Sequence, residues 1–146
     1  MSKRAPEAVW EWDINSEPAR VKQTVGEILA RLDEAAPGQT LEERGDLKLI
    51  FSELLYNAII HGNNSDPDKK VRISLQVVNG RQVNAGITDE GPGFDYQQTV
   101  SRDPVEGLYS ETGRGIQIVN ALADKLSFDS SGRRVMFEKR VGALNG

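Results

Sequence analysis

Glu53 and Asn57 are two polar residues, four positions apart, in a stretch whose apolar residues recur at helical spacing. At about 100° per residue, their side chains point about 40° apart and stack one turn apart at the edge of the apolar stripe. A carboxylate in that place can accept the proton of an attacking hydroxyl or water, and an amide oxygen can ligate Mg²⁺. The same spacing is also typical of a solvated helix edge, so two interpretations stand.

A second candidate motif starts at Asp89, directly after a predicted strand, and contains Gly91 and Gly93. Asp89 shares the parity of Ala85 and Ile87, so it is predicted to face the core side of the sheet. A buried carboxylate needs a partner. The amino group of adenine is a suitable donor, and the glycines would let the base approach the backbone closely. The alternative is a plain glycine-rich turn.

A third candidate motif precedes the last predicted helix, where Gly113 and Gly115 stand beside Ser110, Thr112 and Arg114. Glycines at a helix start leave backbone N–H groups exposed, and the helix dipole adds positive potential, so the two together suit a phosphate group. The arginine and the two hydroxyl groups would assist. A simple helix-capping role is the alternative.

The elements that would carry these motifs are predicted from hydrophobic periodicity. Ser16 is predicted to cap the first helix, and Asn79-Gly80 marks a hairpin. The predicted helices begin at Glu17, Leu41 and Ile116 and end at Pro37, His61 and Leu126; the predicted strands are Val9–Ile14, Val71–Val77, Val83–Ile87, Leu126–Phe128 and a last one around Val135 and Phe137. This order predicts an α+β two-layer sandwich, in which three helices cover one face of a mostly antiparallel, mixed sheet.

The composition limits the possible functions. The chain has 146 residues, a net charge of -4 and no cysteine, which predicts a single domain over 1–146 with a core of about 9–141 and no disulfide or zinc–thiolate site. The acidic balance argues against direct nucleic-acid binding, which needs a basic footprint. There is neither the apolar run of a signal peptide nor a membrane span, so we expect a cytoplasmic protein without a membrane partner.

Together and in this order, the three motifs resemble the N, G1 and G2 boxes of the GHKL ATPases, the superfamily that includes gyrase and histidine kinases. Within it, the runs 57–62 and 110–115 are similar to those of bacterial anti-sigma factor serine/threonine kinases. The resemblance extends from about Trp10 to Val141. One departure is Gly132-Arg133 before the last strand, where relatives often carry Gly-Thr and the threonine helps the aspartate to hold adenine.

The resemblance implies a histidine-kinase-like ATPase fold that binds ATP or ADP with Mg²⁺. It implies that Glu53 is the catalytic base, Asn57 binds Mg²⁺, Asp89 binds adenine and residues 94–115 form the ATP lid. The implied activity is phosphorylation of a serine or threonine on an anti-anti-sigma (STAS-type) partner, with a sigma factor as a second partner and a homodimer as a possible assembly. The alternatives are a nucleotide-dependent binding module without kinase activity and a detached histidine-kinase ATPase domain.

Overall fold

The computed structural model describes residues 7–92 and 111–142, with the side chains of 8–92 and 114–142. The strands are β1 (Glu7–Asn15), β2 (Lys70–Val78), β3 (Gln82–Thr88), β4 (Lys125–Phe128) and β5 (Arg134–Arg140). The helices are α1 (Arg20–Ala35), α2 (Leu41–Tyr56) and α3 (Glu111–Leu122), and a π-helical segment, Asn57–Gly62, continues α2.

The five strands form one sheet in the order β1-β2-β3-β5-β4, and all neighbouring strands pair antiparallel. Leu75 of β2 stands opposite Trp10 of β1 and Ala85 of β3, and Ala85 in turn stands opposite Phe137 of β5. The predicted α+β fold is confirmed. A parallel pairing, which a mixed sheet would require, does not occur among the strands within 7–92 and 111–142.

Apolar side chains from one face of the sheet pack against the three helices. At the centre, Phe51 of α2 and Phe137 of β5 meet edge to face with ring centroids 5.2 Å apart, and both are buried. Burying one such side chain contributes about 1.5–3 kcal/mol to folding. This packing fixes α2 on the sheet, and α2 carries the first sequence motif.

The opposite face of the sheet carries polar side chains that bond from strand to strand. Arg134 of β5 donates to Thr88 Oγ1 at 3.0 Å and to Ser74 Oγ at 3.4 Å. Asn84 of β3 donates to Gln76 Oε1 of β2 at 3.2 Å. These bonds connect three neighbouring strands on the side away from the helices.

The first two helices begin in different ways. Thr40 caps α2 in a capping box, in which its Oγ1 accepts from Glu43 N at 3.0 Å and Glu43 Oε1 accepts from Thr40 N at 2.8 Å. The prediction that Ser16 caps α1 is wrong, because α1 begins at Arg20 and the buried Ser16 hydroxyl donates to Lys69 O at 2.8 Å. That hydroxyl joins the end of β1 to the start of β2.

The ends of the other helices also differ from the prediction. The second predicted helix is α-helical only to Tyr56 rather than to His61, and π-helical from there. The third begins earlier than predicted, at Glu111, and ends at Leu122 because Leu126 already belongs to β4. Hydrogen bonding between β4 and β5 therefore overrides the helical periodicity at this point.

Candidate functional site

Asn57 is the first residue of the π-helical segment and is only 4% exposed. Its Nδ2 makes no hydrogen bond to any residue in the parts of the chain that the structure describes. An unpaired buried amide costs about 1–3 kcal/mol, so it points to a partner other than these residues. π-helical turns are frequent at functional sites, which agrees with a ligand-binding role for Asn57.

The start of α3 comes close to both residues of the first motif. A Cβ atom added at Gly115 would lie 2.4 Å from Glu53 Oε1 and 3.6 Å from Asn57 Nδ2. A larger residue at this position would therefore have to push the Glu53 carboxylate aside. The fold brings the first and third sequence motifs together, with the backbone of α3 against the carboxylate and the amide.

A pocket of about 350 Å³ opens beside this contact, within the usual range of about 300–1,000 Å³ for ligand sites. Its lining comes from the end of α2, the π-helical segment and the start of α3: Glu53, Tyr56, Asn57, Ile60, His61, Arg114 and Ile118. Arg114 is exposed and permanently charged. Together with the start of a helix, it gives the pocket a cationic side that suits an anionic group.

Asp89 lies just after β3 and is 5% exposed, as the strand parity predicts. Its Oδ1 accepts a hydrogen bond from Gly91 N at 2.8 Å. Burial raises the pKa of Asp89 above its ordinary value, although the Gly91 N–H and the Arg133 charge act in the opposite direction. Gly91 N is the one donor to the Asp89 carboxylate among the hydrogen bonds described above. The carboxylate can therefore accept further hydrogen bonds from a ligand.

The turn after β3 rests directly on the end of the π-helical segment. A Cβ atom added at Gly91 would lie 1.8 Å from Gly62 O, so the two backbones touch. The next residue, Asn63, is fully buried; its Oδ1 accepts from Glu90 N at 2.7 Å and its Nδ2 donates to Ser16 Oγ at 2.7 Å. Sequence reasoning missed Asn63, because an asparagine after a helix-ending glycine is ordinarily a turn residue.

The structure brings together several of the predicted site residues. Those at the pocket are Glu53, Asn57, Arg114 and Gly115. Those on the other side of the π-helical segment are Asp89 and Gly91. Those in the first turn of α3, without described side chains, are Thr112 and Gly113. Those outside the described residues are Gly93, Ser110 and, with them, most of the predicted lid. Their roles stay predictions.

A magnesium ion bound here would take few ligands from the protein. Within the described ranges, no cluster of three or more His, Cys, Asp or Glu residues could hold a metal by itself. The oxygens of Asn57 and Glu53, which line the same pocket, fit a different arrangement, in which Mg²⁺ takes one or two protein oxygens and completes its shell with phosphate oxygens and water. The unpaired Asn57 Nδ2 would then be available to donate to a phosphate oxygen. The residues at the pocket therefore fit such an ion.

The fold and the arrangement of these motifs define a class of protein. A family model, the histidine kinase-like ATPase domain, matches residues 14–139, a range that includes Glu53, Asn57, Asp89 and both glycine motifs. The chain belongs to this family of ATPase domains. Membership implies that it binds a nucleotide.

Three similar proteins carry the same name, anti-sigma F factor. That of Geobacillus sp. (strain WCH70) is 42% identical over 119 residues, covering 80% of this chain and 75% of that protein. That of Geobacillus kaustophilus is 33% identical over 134 residues, 87% of this chain and 85% of the relative. That of Clostridium beijerinckii is 31% identical over 136 residues, 87% of this chain and 88% of the relative.

Among the helices in the described parts of this chain, none has the length and apolar character that crossing a membrane requires.

Proposed function

We propose that this chain is an ATP-dependent protein serine/threonine kinase and anti-sigma regulatory factor that phosphorylates an anti-anti-sigma (STAS-type) partner. The observation that carries the proposal is the unpaired, buried Asn57 amide, one turn after Glu53 and close to Gly115. An unpaired Nδ2 can donate to a phosphate oxygen, so the observation supports a site in which a phosphate lies beside the Glu53 carboxylate. The similarity to proteins named anti-sigma F factor supports a sigma factor as the second partner.

The adenine base binds at Asp89 in this proposal. The carboxylate of Asp89 accepts a hydrogen bond from the exocyclic amino group of adenine, which provides the partner that a buried carboxylate needs. Gly91 already lies against Gly62, so the base would be recognised close to backbone on this side of the π-helical segment. The acceptor role also favours adenine over guanine, whose corresponding position carries a carbonyl oxygen rather than an amino group.

The phosphates of ATP point toward the pocket at the start of α3. Arg114 and the N–H groups of that first turn bind them, with help from the hydroxyls of Ser110 and Thr112. The amide oxygen of Asn57 would hold Mg²⁺, which when bound would neutralise charge on the transferring group. Glu53 takes the proton of the partner's serine or threonine hydroxyl as the new oxygen–phosphorus bond forms and the bond to ADP breaks.

A substitution of the proposed base, Glu53, tests whether the chain is a kinase. Glu53→Gln keeps the size of the side chain but cannot accept the proton, so transfer to the partner should fall by about 10²–10⁴ while Mg-ATP still binds. Asn57→Ala should weaken Mg²⁺-dependent binding as well as transfer. The measurement is transfer from labelled ATP to a purified anti-anti-sigma protein, together with calorimetric nucleotide titrations.

Glu42→Gln is the matched control, because Glu42 is an exposed glutamate in the first turn of the same helix. It should leave transfer unchanged. Transfer by Glu53→Gln at the wild-type rate would show that Glu53 is not the base. The identity of the phosphorylated residue decides between a serine/threonine kinase and a detached histidine-kinase ATPase domain.

The name shared by the relatives favours one further candidate, a nucleotide-dependent anti-sigma module without kinase activity. That candidate becomes the better proposal if the wild-type chain binds Mg-ADP and a sigma factor but transfers nothing to any anti-anti-sigma partner. A homodimer is compatible with either function. Analytical ultracentrifugation with and without nucleotide measures that assembly directly.

A further inference from the structure

Arg133 contacts the turn that carries Asp89 in two ways. It lies in the connection between β4 and β5, immediately before β5, and its carbonyl oxygen accepts a hydrogen bond from Asp89 N at 2.9 Å. Its side chain reaches further along the same turn, where Nε donates to Gly91 O at 2.6 Å. The two bonds bracket residues 89–91 from the neighbouring strand.

The position of Gly91 gives these two bonds their importance. Gly91 N holds the Asp89 carboxylate, and the Gly91 backbone touches Gly62 O at the end of the π-helical segment. The Gly91 carbonyl is the group that Arg133 binds, so the arginine holds the residue whose N–H bonds the Asp89 carboxylate. Hydrogen bonds with one charged partner are the stronger kind, and this one is partly buried.

We propose that Arg133 is a positioning residue for the carboxylate that binds the nucleobase: through its hydrogen bond to Gly91 O it fixes the 89–91 turn in which Asp89 accepts from the base. This inference rests on the proposed function, since it assumes that the ligand of Asp89 is an adenine nucleotide. Arg133 itself is exposed and acts through Asp89 rather than as part of the chemistry.

The charges around Asp89 support this role. Burial raises the pKa of Asp89, the N–H of Gly91 and the charge of Arg133 lower it, the charge of Asp129 raises it, and that of Lys69 lowers it. Of the two cations, Arg133 has the stronger influence. Removing it leaves burial and Asp129 less opposed, so Asp89 would stay protonated to a higher pH and would be a weaker acceptor for the base there.

Three substitutions separate the hydrogen bond from the charge. Arg133→Gln places an amide nitrogen the same number of bonds from Cα as Nε, so it can keep the bond to Gly91 O without the charge. Arg133→Lys keeps the charge but not the planar Nε donor. Arg133→Met removes both at similar length. Arg140→Gln is the matched control, because Arg140 is an exposed arginine at the far end of β5.

The experiment is calorimetric titration of each variant with Mg-ADP over a series of pH values. We expect Arg133→Met to bind about tenfold more weakly at neutral pH and to lose binding at a higher pH than wild type as the solution is acidified. Arg133→Lys should restore the pH midpoint, and Arg133→Gln should restore most of the affinity at neutral pH. Variants that all behave like Arg140→Gln would overturn the proposal.

A second measurement needs no nucleotide. The carboxyl carbon of Asp89 and the amide of Gly91 are followed by NMR through an acid titration of the free protein. Arg133→Met should raise the Asp89 midpoint and speed exchange of the Gly91 amide, and unchanged values would refute the role of Arg133. If wild type binds no adenine nucleotide, the proposed function fails, while this titration still decides the inference about Arg133.

Discussion

The two ends of helix α2 treat their polar groups in opposite ways. At its start, Thr40 and Glu43 exchange two hydrogen bonds, and Glu43 Oε1 also accepts from Gly142 N at 3.0 Å. At its other end, the buried Asn57 Nδ2 has no partner among the described residues, and Asp89 is buried beside the π-helical segment. One end of the helix is saturated internally, and the other keeps capacity for a ligand.

Two carboxylates express this difference as pKa shifts of opposite sign. Burial opposes ionisation of Glu43, but the N–H groups of Gly142 and Thr40 outweigh it and lower the pKa of Glu43. Burial dominates at Asp89 and raises its pKa. Glu43 therefore stabilises the fold above its ordinary pKa, and this stabilisation is lost as the pH falls through the lowered value. Asp89 does the reverse: the fold favours its protonated form, so its contribution to stability is present below its ordinary pKa and is lost as the pH rises through the raised value.

The largest effect should come from Gly91→Ala, which changes the turn beside the end of α2 where we propose that the nucleotide binds. The new methyl group would lie 1.8 Å from Gly62 O. Because the closest atoms belong to the backbone of Gly62, they cannot easily move away. We expect destabilisation of about 1–3 kcal/mol and a loss of nucleotide affinity of about 100-fold or more. Urea unfolding and calorimetry measure the two effects.

Gly45→Ala is the control for that substitution. Gly45 lies in α2 with nothing within 4 Å of an added Cβ, so alanine should stabilise the helix by up to about 1 kcal/mol and leave nucleotide binding intact. If Gly91→Ala behaves like Gly45→Ala, the contact between the turn and the π-helical segment does not shape the site.

Asp89→Asn should separate affinity from stability. The amide presents a mismatched donor toward the base, which should weaken Mg-ADP by about 10- to 100-fold. The nucleotide-free variant should be at least as stable as wild type at neutral pH, because the penalty of a buried charge is gone while the amide oxygen can still accept from Gly91 N. Calorimetry and thermal unfolding of the free protein test both parts. A variant that unfolds more easily but binds normally would reverse the assignment.

Thr40→Ala should give the smallest effect and the opposite pattern. Loss of the cap should lower the free energy of unfolding by about 1 kcal/mol, because the Glu43 N–H loses its side-chain acceptor. Nucleotide affinity should not change, since the saturated end of α2 contributes no group to the pocket. Comparing urea unfolding curves with Mg-ADP titrations of the same preparation checks this; a fall in affinity would link the two ends.

Local patterns predicted the elements that position the site, and contacts between distant residues explain what was missed. The alternation of β3 places Asp89 toward the core, and the helical spacing places Glu53 and Asn57 on one edge of the predicted second helix. The π-helical segment has no comparable local signal, because the residues that widen a helical turn resemble those of an ordinary helix. The bonds of Asn63 to Ser16 and of Arg133 to Gly91 join residues 47 and 42 positions apart, which periodicity does not reveal.

The polar bonds on the uncovered face of the sheet have a consequence for folding accuracy. A slip of one residue between β3 and β5 would turn every side chain of β3 to the other face and carry Asp89 out of the interior. The same slip would separate Arg134 from Thr88 and Ser74, and a slip between β2 and β3 would separate Asn84 from Gln76. Both faces of the sheet thus fix the register: apolar packing on the face that the helices cover, and hydrogen bonding on the opposite face. A misregistered sheet would lose both contributions, so the contacts that fix the register also fix the direction of the buried Asp89 carboxylate.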